Sequence, residues 1–353
     1  MIIKKIIVNF FILFFSTITG VFLVEVCLQF LRPDLPYQYM PQKIVRSFFK
    51  GSVMYDFTLE PNYEGKFMMS AASFDSIVST NSLGWRDKEP DERKKVFVFG
   101  DSFVFGFGLN NDETIPAQLE KLDTGKRDFV NLGYTAGRSP DSYLNYMRQN
   151  KSIRNQPVIL LVYSNDLNDI SNNSYFNEDG ISVQVDDQSV YEVRGNLSYI
   201  RAGSLFQHKS FATSKLPLRM IYWLKQSYII ALLRFSFDKA FTKYSQEVTA
   251  QNMAAKTKNF SQIYNKEIDI FTRSIQGIAN YSSNLTVFTI GNRQEISIPE
   301  FYKEVAKICS ILKLDYFHIP SFDSTHYWEK DAHYNKKGAK KAASFIYKSI
   351  LQD

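Results

Sequence analysis

The sequence predicts an α/β fold, a three-layer α/β/α sandwich on a parallel sheet of about five strands. Short continuous apolar runs alternate with helical stretches from Lys95 onward. These runs lack the in-and-out alternation of half-exposed strands, so we expect helices to cover both faces of the sheet. The 353 residues, 44% of them hydrophobic, are enough to bury a full core. This composition excludes a chain that is disordered over most of its length.

The N-terminus predicts a helix that crosses a membrane. Residues 6–24 carry no charge, and the apolar character resumes after Glu25. The stretch exceeds the ~20 residues that span a bilayer. Because it offers neither a small-x-small cleavage site nor a lipoprotein site, we expect residues 1–32 to be retained as a signal anchor. Lys4 and Lys5 favour a cytoplasmic start, which places the remainder of the chain in the periplasm or at the cell surface.

Residues 33–94 are expected to form a stalk and entry segment. The part from 33 to 65 is rich in Pro and Tyr and lacks clear periodicity. A turn over residues 81–87 then precedes the first buried strand. The main domain is expected to span residues 95–353.

The sequence of the main domain predicts five parallel strands, each separated from the next by helical sequence. The strands are expected at Val96 to Phe99, Phe129 to Leu132, Val158 to Tyr163, Leu285 to Ile290 and Tyr316 to Ile319. The helices are expected near Ile115 to Leu122, Asp141 to Gln149, Gln262 to Ile278, Pro299 to Leu312 and Asn335 to Leu351.

An insertion at about residues 171–258 interrupts this alternation. Residues 181–185 and 190–193 alternate and predict a hairpin, and residues 216–241 predict one or two strongly apolar helices. We expect these helices to pack against the main sheet, because apolar helices are mostly core. A cap over the functional site, or a surface that faces the membrane or a partner, is the alternative.

Charge and cysteine content exclude several function classes. The net charge of +6 comes from Lys and Arg scattered among 36 acidic residues, so we expect no nucleic-acid partner. Cys27 and Cys309 stand in neither a metal-ligand nor a redox spacing. Gly106-Phe107-Gly108 lacks the third glycine of a dinucleotide loop. No set of side chains has the spacing of metal ligands, so neither a cofactor nor a metal is expected.

Two short motifs far apart in sequence predict a nucleophile and its base. Gly-Asp-Ser at 100–102 follows the first apolar strand, and Asp-Ala-His at 331–333 precedes the last helix. A serine hydroxyl needs an imidazole to take its proton and a carboxylate to hold that imidazole. Ser102, His333 and Asp331 supply these groups. A Gly-Asp-Ser tripeptide alone is a common turn, but its position after a buried strand and the late Asp-x-His-x-Asn favour catalysis.

Two further segments, 131–137 and 163–166, follow strands between these motifs. With them the chain resembles the GDSL, or SGNH, hydrolases from about residue 95 to 351. More narrowly, it resembles the membrane-anchored bacterial members that act on cell-envelope or exported polysaccharide. The resemblance implies an SGNH-hydrolase-like fold with Ser102 as nucleophile and His333 as base, with the carboxylate two residues earlier as its orienting acid.

The resemblance also implies an oxyanion hole. Its donors are the backbone N–H of the nucleophile, the backbone N–H of Gly137 and the side-chain amide of Asn165. The chain departs from the family pattern at two points. Ser164 stands where a glycine is usual, and the glycine of the second block comes one residue late, which leaves Ala136 or Gly133 open as the donor in place of Gly137.

Four other residues lie near these motifs. Trp85 and His326 are candidates for substrate contact, and Arg86 would line the same cleft as Trp85. A packing role is the alternative for all three. Asp101 is expected to fix the turn before the nucleophile by accepting backbone N–H bonds.

These features predict a membrane-anchored serine esterase or acyltransferase. Its substrate is expected to be an acylated, foremost O-acetylated, envelope carbohydrate or another small ester. A transferase would also need an acyl donor, delivered by a membrane partner; hydrolysis and transfer share one acyl-enzyme, so the sequence does not separate them. Two alternatives remain open: a non-catalytic envelope assembly protein that docks through residues 216–241, and a lipase or lysophospholipase at the membrane surface.

Overall fold

The computed structural model describes most of the predicted main domain and the N-terminal helix. The described residues are 2–32, 49–50, 58–69, 74–134, 138–172, 174–176, 182–185, 190–193, 199–201, 227–233, 236, 260, 264–291, 299–329 and 331–350.

Strands are numbered in chain order over the described residues. They are β1 (Phe49–Lys50), β2 (Thr58–Leu59), β3 (Glu64–Met69), β4 (Phe74–Ser79), β5 (Lys94–Gly100), β6 (Arg127–Gly133), β7 (Pro157–Val162), β8 (Ser174–Phe176), β9 (Ser182–Val185), β10 (Val190–Val193), β11 (Tyr199–Arg201), β12 (Asn284–Ile290) and β13 (Asp315–Ile319). The helices are α1 (Ile2–Leu31), α2 (Ser102–Phe105), α3 (Ile115–Leu122), α4 (Pro140–Gln149), α5 (Asp166–Asn172), α6 (228–233), α7 (Asn265–Tyr281), α8 (Pro299–Leu312) and α9 (Lys336–Ile350).

The central sheet confirms the predicted fold class. Its strand order is β13-β12-β7-β5-β6, and every neighbouring pair is parallel. All five strands lie within two residues of their predicted limits. The helices α3, α4, α7, α8 and α9 lie within three residues of theirs, because their apolar faces repeat with the helical period.

Successive side chains of β5 point to opposite faces of the sheet, and helices cover both faces, which gives three layers. Phe97 and Phe99 point to the face covered by α4, α7 and α8, whereas Val96 and Val98 point to the face covered by α3 and α9. All four side chains are buried. Strands that are apolar at every position therefore need helices on both faces.

The strand order places a crevice at the carboxyl end of β5. The chain passes from β5 to β6 on one side and then to β7 on the other, and β5 pairs with both. In open α/β sheets, ligands bind at such a switch point, outside the carboxyl ends of the strands. Ser102 follows β5 after one intervening residue, and so lies at this crevice.

The insertion contains the predicted hairpin and more. β9 and β10 pair in antiparallel register with Val190 opposite Val185, as predicted. β8 and β11, which the sequence did not predict, extend the pair to four strands in the order β11-β10-β9-β8. Of the apolar helices predicted over 216–241, the described part contains α6 and the helical residue 236; the remainder lies outside the described residues.

The entry segment contains strand pairing that the sequence did not predict. β3 and β4 form an antiparallel pair, with Glu64 opposite Ser79, and β1 pairs with β2 within the predicted stalk. β3 reads Glu-Gly-Lys-Phe-Met-Met, so a glycine and a run of three apolar residues hide the period-two signal of a strand. The two-residue strands β1 and β2 are too short to show a period.

The N-terminal helix α1 is continuous over thirty residues. Its stretch Lys4–Leu31 is long and apolar enough to cross a membrane, a test of length and composition that a signal sequence also passes. The side chains of residues 6–24 are exposed, and half-burial begins at Glu25.

A glycine on β6 allows α2 to lie directly against the sheet. A Cβ built on Gly133 would overlap the backbone N of Phe105 and the carbonyl carbon of Val104. Backbone atoms, unlike the ends of flexible side chains, cannot move aside cheaply. Any larger residue at Gly133 therefore has to displace α2, the helix that begins with Ser102.

Replacing Gly133 by alanine is expected to lower the free energy of unfolding by about 3 kcal/mol, because the added methyl group overpacks a backbone contact. Gly125→Ala is the matched control. Gly125 has a φ of 72°, but the nearest atom to its added Cβ is Arg93 Nη1 at 3.7 Å. That variant should lose only about 1 kcal/mol, from backbone strain. Urea unfolding in detergent measures both, and equal losses would contradict the close approach.

Candidate active site

The turn after β5 presents Ser102 at the start of a short helix. Asp101 caps α2, since its carboxylate accepts the Phe103 N–H at 3.0 Å. Gly106 ends the helix with a φ of 87° and donates its N–H to Ser102 O at 3.0 Å. The predicted role of Asp101 in fixing the turn is confirmed. Ser102 is thereby held in the first turn of a helix at the crevice.

The structure brings the three predicted triad residues together. Ser102 Oγ lies 2.6 Å from His333 Nε2, and His333 Nδ1 lies 2.5 Å from Asp331 Oδ1. An ionised carboxylate only accepts hydrogen bonds, so Nδ1 carries the proton and the Nε2 lone pair faces the serine hydroxyl. This is the tautomer that a general base needs. The same Asp331 oxygen accepts the His333 backbone N–H at 2.7 Å, which fixes the loop together with the ring.

Aromatic rings hold the imidazole of His333 from the side. The ring centroids of Phe107 and Phe103 lie 4.5 Å and 5.0 Å from that of His333. Trp328 Nε1 donates to the carbonyl of Phe107 at 3.3 Å, which ties the two loops to each other. The His333 side chain is still 23% exposed. The rings therefore restrict its rotation and leave it accessible from solvent.

Asn335 fixes the loop that carries His333. Its Nδ2 donates to the carbonyls of Thr325 and Tyr327 at 2.9 and 2.8 Å. Its Oδ1 accepts the N–H groups of Lys337 and Gly338 at 3.0 and 3.2 Å and so caps α9. The sequence showed this residue only as the last member of Asp-x-His-x-Asn, without its partners.

Asn335→Ala is expected to lower the free energy of unfolding by about 2 kcal/mol or more, because the cap and two further hydrogen bonds are lost. Asn335→Ser keeps an oxygen that can cap α9 but does not reach the two loop carbonyls. Its loss should therefore lie between that of the alanine variant and zero. Urea unfolding measures both variants. Two variants as stable as the wild-type protein would show that Asn335 does not hold the loop.

Trp85 lies in the core. Its side chain is 6% exposed, its Nε1 donates to the Tyr146 hydroxyl at 2.8 Å, and its ring packs edge-on against Phe97 at 5.9 Å. A platform for a sugar ring needs an open aromatic face. These contacts fit the packing alternative and not the predicted substrate contact. The sequence did not show this, because the burial of a residue in a turn is not visible in its local sequence.

Arg86 is also buried, and it organises the loop after the nucleophile. Its Nη1 donates to the carbonyls of Phe105 and Gly106, both at 2.7 Å, and its Nη2 donates to the carbonyl of Leu109. Burial lowers the pKa of Arg86 to about 9. The guanidinium satisfies carbonyls at the end of α2 that lack helical partners. It fixes the loop that places Phe107 against His333, and its 1% exposure fits the packing alternative.

His326 lies in the same loop as His333 but has different neighbours. Its Nδ1 is 3.0 Å from Asp323 Oδ2, and its ring centroid is 5.4 Å from that of Phe322. Substrate contact by His326 stays a prediction.

The side-chain amide of Asn165 lies beside the nucleophile turn. Its Nδ2 donates to Asp169 Oδ2 at 3.0 Å. Burial raises the pKa of Asp101, and the Phe103 N–H, His333 and the Asn165 amide act against this. Asn165 is therefore close to the residue that precedes Ser102.

Of the three candidates for the second oxyanion donor, the structure describes only Gly133. Gly137 and its alternative Ala136 lie outside the described residues. The other alternative, Gly133, does not fit, because its N–H already donates to Asn131 Oδ1 at 2.9 Å. Gly133 serves instead as the contact point between β6 and α2.

Three carboxylates lie in or next to the turn that carries Ser102, and Asp101 and Asp166 are buried while Asp169 is half-buried. Burial raises the pKa of Asp101, Asp166 and Asp169, and the negative charges of these groups raise the pKa of Asp166 and Asp169 further. The pKa of Asp169 rises to about 7, with Arg138 acting against the shift. Among the described residues, no group of His, Cys, Asp or Glu is arranged to hold a metal ion. The cluster therefore reads as protonatable groups next to the site.

The raised pKa of Asp169 predicts a pH-dependent stability. Between its ordinary value of 3.8 and about 7, the unfolded chain loses a proton that the folded chain keeps, so the free energy of unfolding falls as pH rises. Asp169→Asn has no such proton and should reduce the slope over this range, while Asp101, Asp166 and Asp87, whose pKa values burial also raises, keep their contributions. Urea unfolding from pH 4 to 8 measures it, with Asp269→Asn, an exposed carboxylate on α7, as control. An unchanged slope of the unfolding free energy against pH in Asp169→Asn would contradict this interpretation.

No protein-family profile matches the chain, and no curated protein matches it. Among solved structures, the chain is similar to a carbohydrate esterase family 2 enzyme with a carbohydrate-binding domain from Corynascus thermopiles (Myceliophthora fergusii). The identity is 10% and the TM-score 0.35, over 78% of this chain and 71% of that one. The M. smegmatis aryl esterase gives 8% identity and a TM-score of 0.36, over 73% and 98%. The extracellular lipase of Streptomyces rimosus gives 10% and 0.38, over 72% and 99%. Similarity at this level establishes neither a family nor an activity.

Proposed function

We propose that the chain is a membrane-anchored serine esterase or acyltransferase, with Ser102, His333 and Asp331 as its catalytic triad. Its substrates are acyl esters, foremost O-acetyl esters, of cell-envelope or exported carbohydrate. The observation that carries the proposal is the hydrogen-bonded series from Ser102 Oγ through His333 to Asp331 at the carboxyl end of β5. The carbohydrate substrate rests on the resemblance of the sequence motifs, and the membrane location rests on α1.

The geometry supports acyl transfer in two steps. Ser102 Oγ attacks the ester carbonyl carbon while its proton passes to His333 Nε2, and Asp331 stabilises the imidazolium that forms. The tetrahedral adduct then collapses, and His333 returns the proton to the leaving alcohol oxygen. This leaves the acyl group on Ser102. Water or a sugar hydroxyl next attacks the acyl-enzyme, with His333 again as base, so hydrolysis and transfer differ only in the second nucleophile.

Donors to the developing oxyanion come from the start of α2, from the turn before α5 and from the segment after β6. Ser102 begins α2, and an N–H in the first turn of a helix has no acceptor within that helix. The side-chain amide of Asn165, which Asp169 orients, is a further donor in this proposal. The N–H of Gly137 is the third donor in this proposal. Such pre-oriented donors stabilise the transition state more than the ground state.

Release of acetate from a soluble aryl acetate tests the triad. Ser102→Ala and His333→Ala are each expected to lower kcat by about 10⁶-fold, and Asp331→Ala by about 10⁴-fold, because the three groups act as one unit. Ser152→Ala is the control, an exposed serine before β7 at the opposite edge of the sheet. Wild-type turnover in Ser102→Ala would refute the proposal. Wild-type turnover in Asp331→Ala alone would show that Asp331 is not the orienting acid, and it would leave the roles of Ser102 and His333 in place.

Product analysis separates the remaining alternatives. An acetylated sugar formed in the presence of a sugar acceptor identifies a transferase, and free acetate alone identifies an esterase. Faster turnover of long-chain esters than of acetylated sugars would favour the lipase alternative. A wild-type protein that neither turns over esters nor reacts with a fluorophosphonate would support the non-catalytic assembly protein.

A further inference from the structure

The insertion contacts the anchor helix through one carboxylate. Glu25, near the end of α1, accepts the Ser227 hydroxyl at 2.9 Å, the Tyr228 N–H at 2.6 Å and the Ile229 N–H at 3.1 Å. Ser227 is itself the cap of α6, since its Oγ accepts the Ile230 N–H at 3.4 Å. The two residues together satisfy backbone donors at the start of α6 that have no acceptor within the helix.

The position of Glu25 along α1 sets the depth of this contact. Residues 6–24 form an uncharged stretch of nineteen residues between Lys5 and Glu25. At about 1.5 Å per residue, this stretch is about 29 Å long, which matches a hydrocarbon core of about 30 Å. With α1 across a bilayer, Glu25 therefore lies at the boundary between hydrocarbon and headgroups, on the side away from Lys5.

The helix that Glu25 caps is apolar except for one hydroxyl group. Residues 228–233 read Tyr-Ile-Ile-Ala-Leu-Leu, so the Tyr228 hydroxyl is the one polar side-chain group of α6. Ala231 is buried, whereas Leu233 is 53% exposed. A helix that is hydrophobic on every side is normally covered by protein or by lipid. Leu233 has no such cover from the described part of this chain, and the contact with α1 places it next to the bilayer.

We propose that α6 lies in the membrane interface beside the anchor, with the lipid bilayer covering its exposed apolar side. The insertion then provides a second membrane contact, and Glu25 joins it to the first. An interfacial apolar helix gains free energy from the area that it removes from water. Two contacts hold the catalytic domain in a defined orientation to the bilayer, which a single flexible anchor does not. The inference rests on the proposed anchoring and is independent of the acyl-transfer chemistry.

Spin-label accessibility in the full-length protein, reconstituted in phosphatidylcholine vesicles, tests this placement. A nitroxide is attached at Leu233→Cys in a Cys27→Ser background; Cys309 is buried. Val21→Cys, in the middle of the anchor, is the control for lipid contact. Ile311→Cys is the control for water, because Ile311 is an apolar side chain on α8 that is 67% exposed. Collisions with dissolved oxygen report lipid, and collisions with a water-soluble nickel chelate report water.

The oxygen-to-nickel collision ratio at 233 is expected to be several times that at 311 and to approach that at 21. A ratio at 233 equal to that at 311, with 21 still in lipid, would overturn the second membrane contact and leave the anchor intact. Water exposure at 21 would overturn both the second membrane contact and the proposed anchor. Protection of 233 from both reagents, with spin–spin broadening, would show a second copy of the chain in place of lipid and would also overturn the proposal.

Glu25→Gln tests the joint between the two helices. The glutamine side chain loses one acceptor and directs an N–H towards the donors of α6, so the start of α6 should fray. The nitroxide at 233 should then become more mobile in its room-temperature spectrum. Gln29→Ala changes an exposed polar residue one turn later in α1 and should leave the spectrum unchanged. No increase in mobility with Glu25→Gln would show that Glu25 does not hold α6.

Discussion

The hydrogen bond between Ser102 Oγ and His333 Nε2 joins residues 231 positions apart in the chain. It depends on a sheet whose strands all run the same way, because only then do the carboxyl ends of β5 and β13 meet at one edge. β13 lies three strands from β5, so at about 4.8 Å per strand the chain after β13 has to carry His333 about 14 Å sideways. A loop of that reach needs fixed points. Asn335, the Trp328 bond to Phe107 and the bridge between Tyr327 and Tyr334 provide them.

The serine side of this hydrogen bond is held just as firmly. Gly133 lets α2 lie against β6, and Arg86 takes up the carbonyls at the far end of α2. The loop that Arg86 fixes carries Phe107, whose ring packs on the imidazole of His333. Ser102 and His333 thus share one set of supports. A change that tilts α2 is expected to move both members of the pair.

The carboxylates near the site divide into two kinds. Asp331 is 20% exposed and accepts two N–H bonds from His333. Asp101 and Asp166 are buried and Asp169 is half-buried, and burial raises the pKa of each. These groups act through hydrogen bonds to the turn and to Asn165. Hydrogen-bond partners, and not residue type, separate Asp331 from these neighbours.

The sequence predicted the sheet and its helices, and it singled out Ser102, His333 and Asp331 as candidates, because each has a local signature. Fully apolar runs mark buried parallel strands, and strand-end motifs in a fixed order mark Ser102 and His333. Partners that are distant in sequence left no such mark. The carbonyls that bind Arg86 and Asn335 belong to backbone, which any residue supplies, and Trp85 looks the same whether it faces a cleft or the core. The β3–β4 pair was missed because a glycine and an apolar run obscure its alternation.

Mass spectrometry of an acyl-enzyme tests the central claim most directly. The protein is mixed with an acetyl ester and quenched in acid, where a protonated His333 cannot activate water for deacylation. A single acetyl group on the peptide that contains Ser102 is the result that a Ser102-centred acyl transfer requires. Ester turnover with no acetyl group on that peptide, or with the acetyl group on another residue, would contradict it.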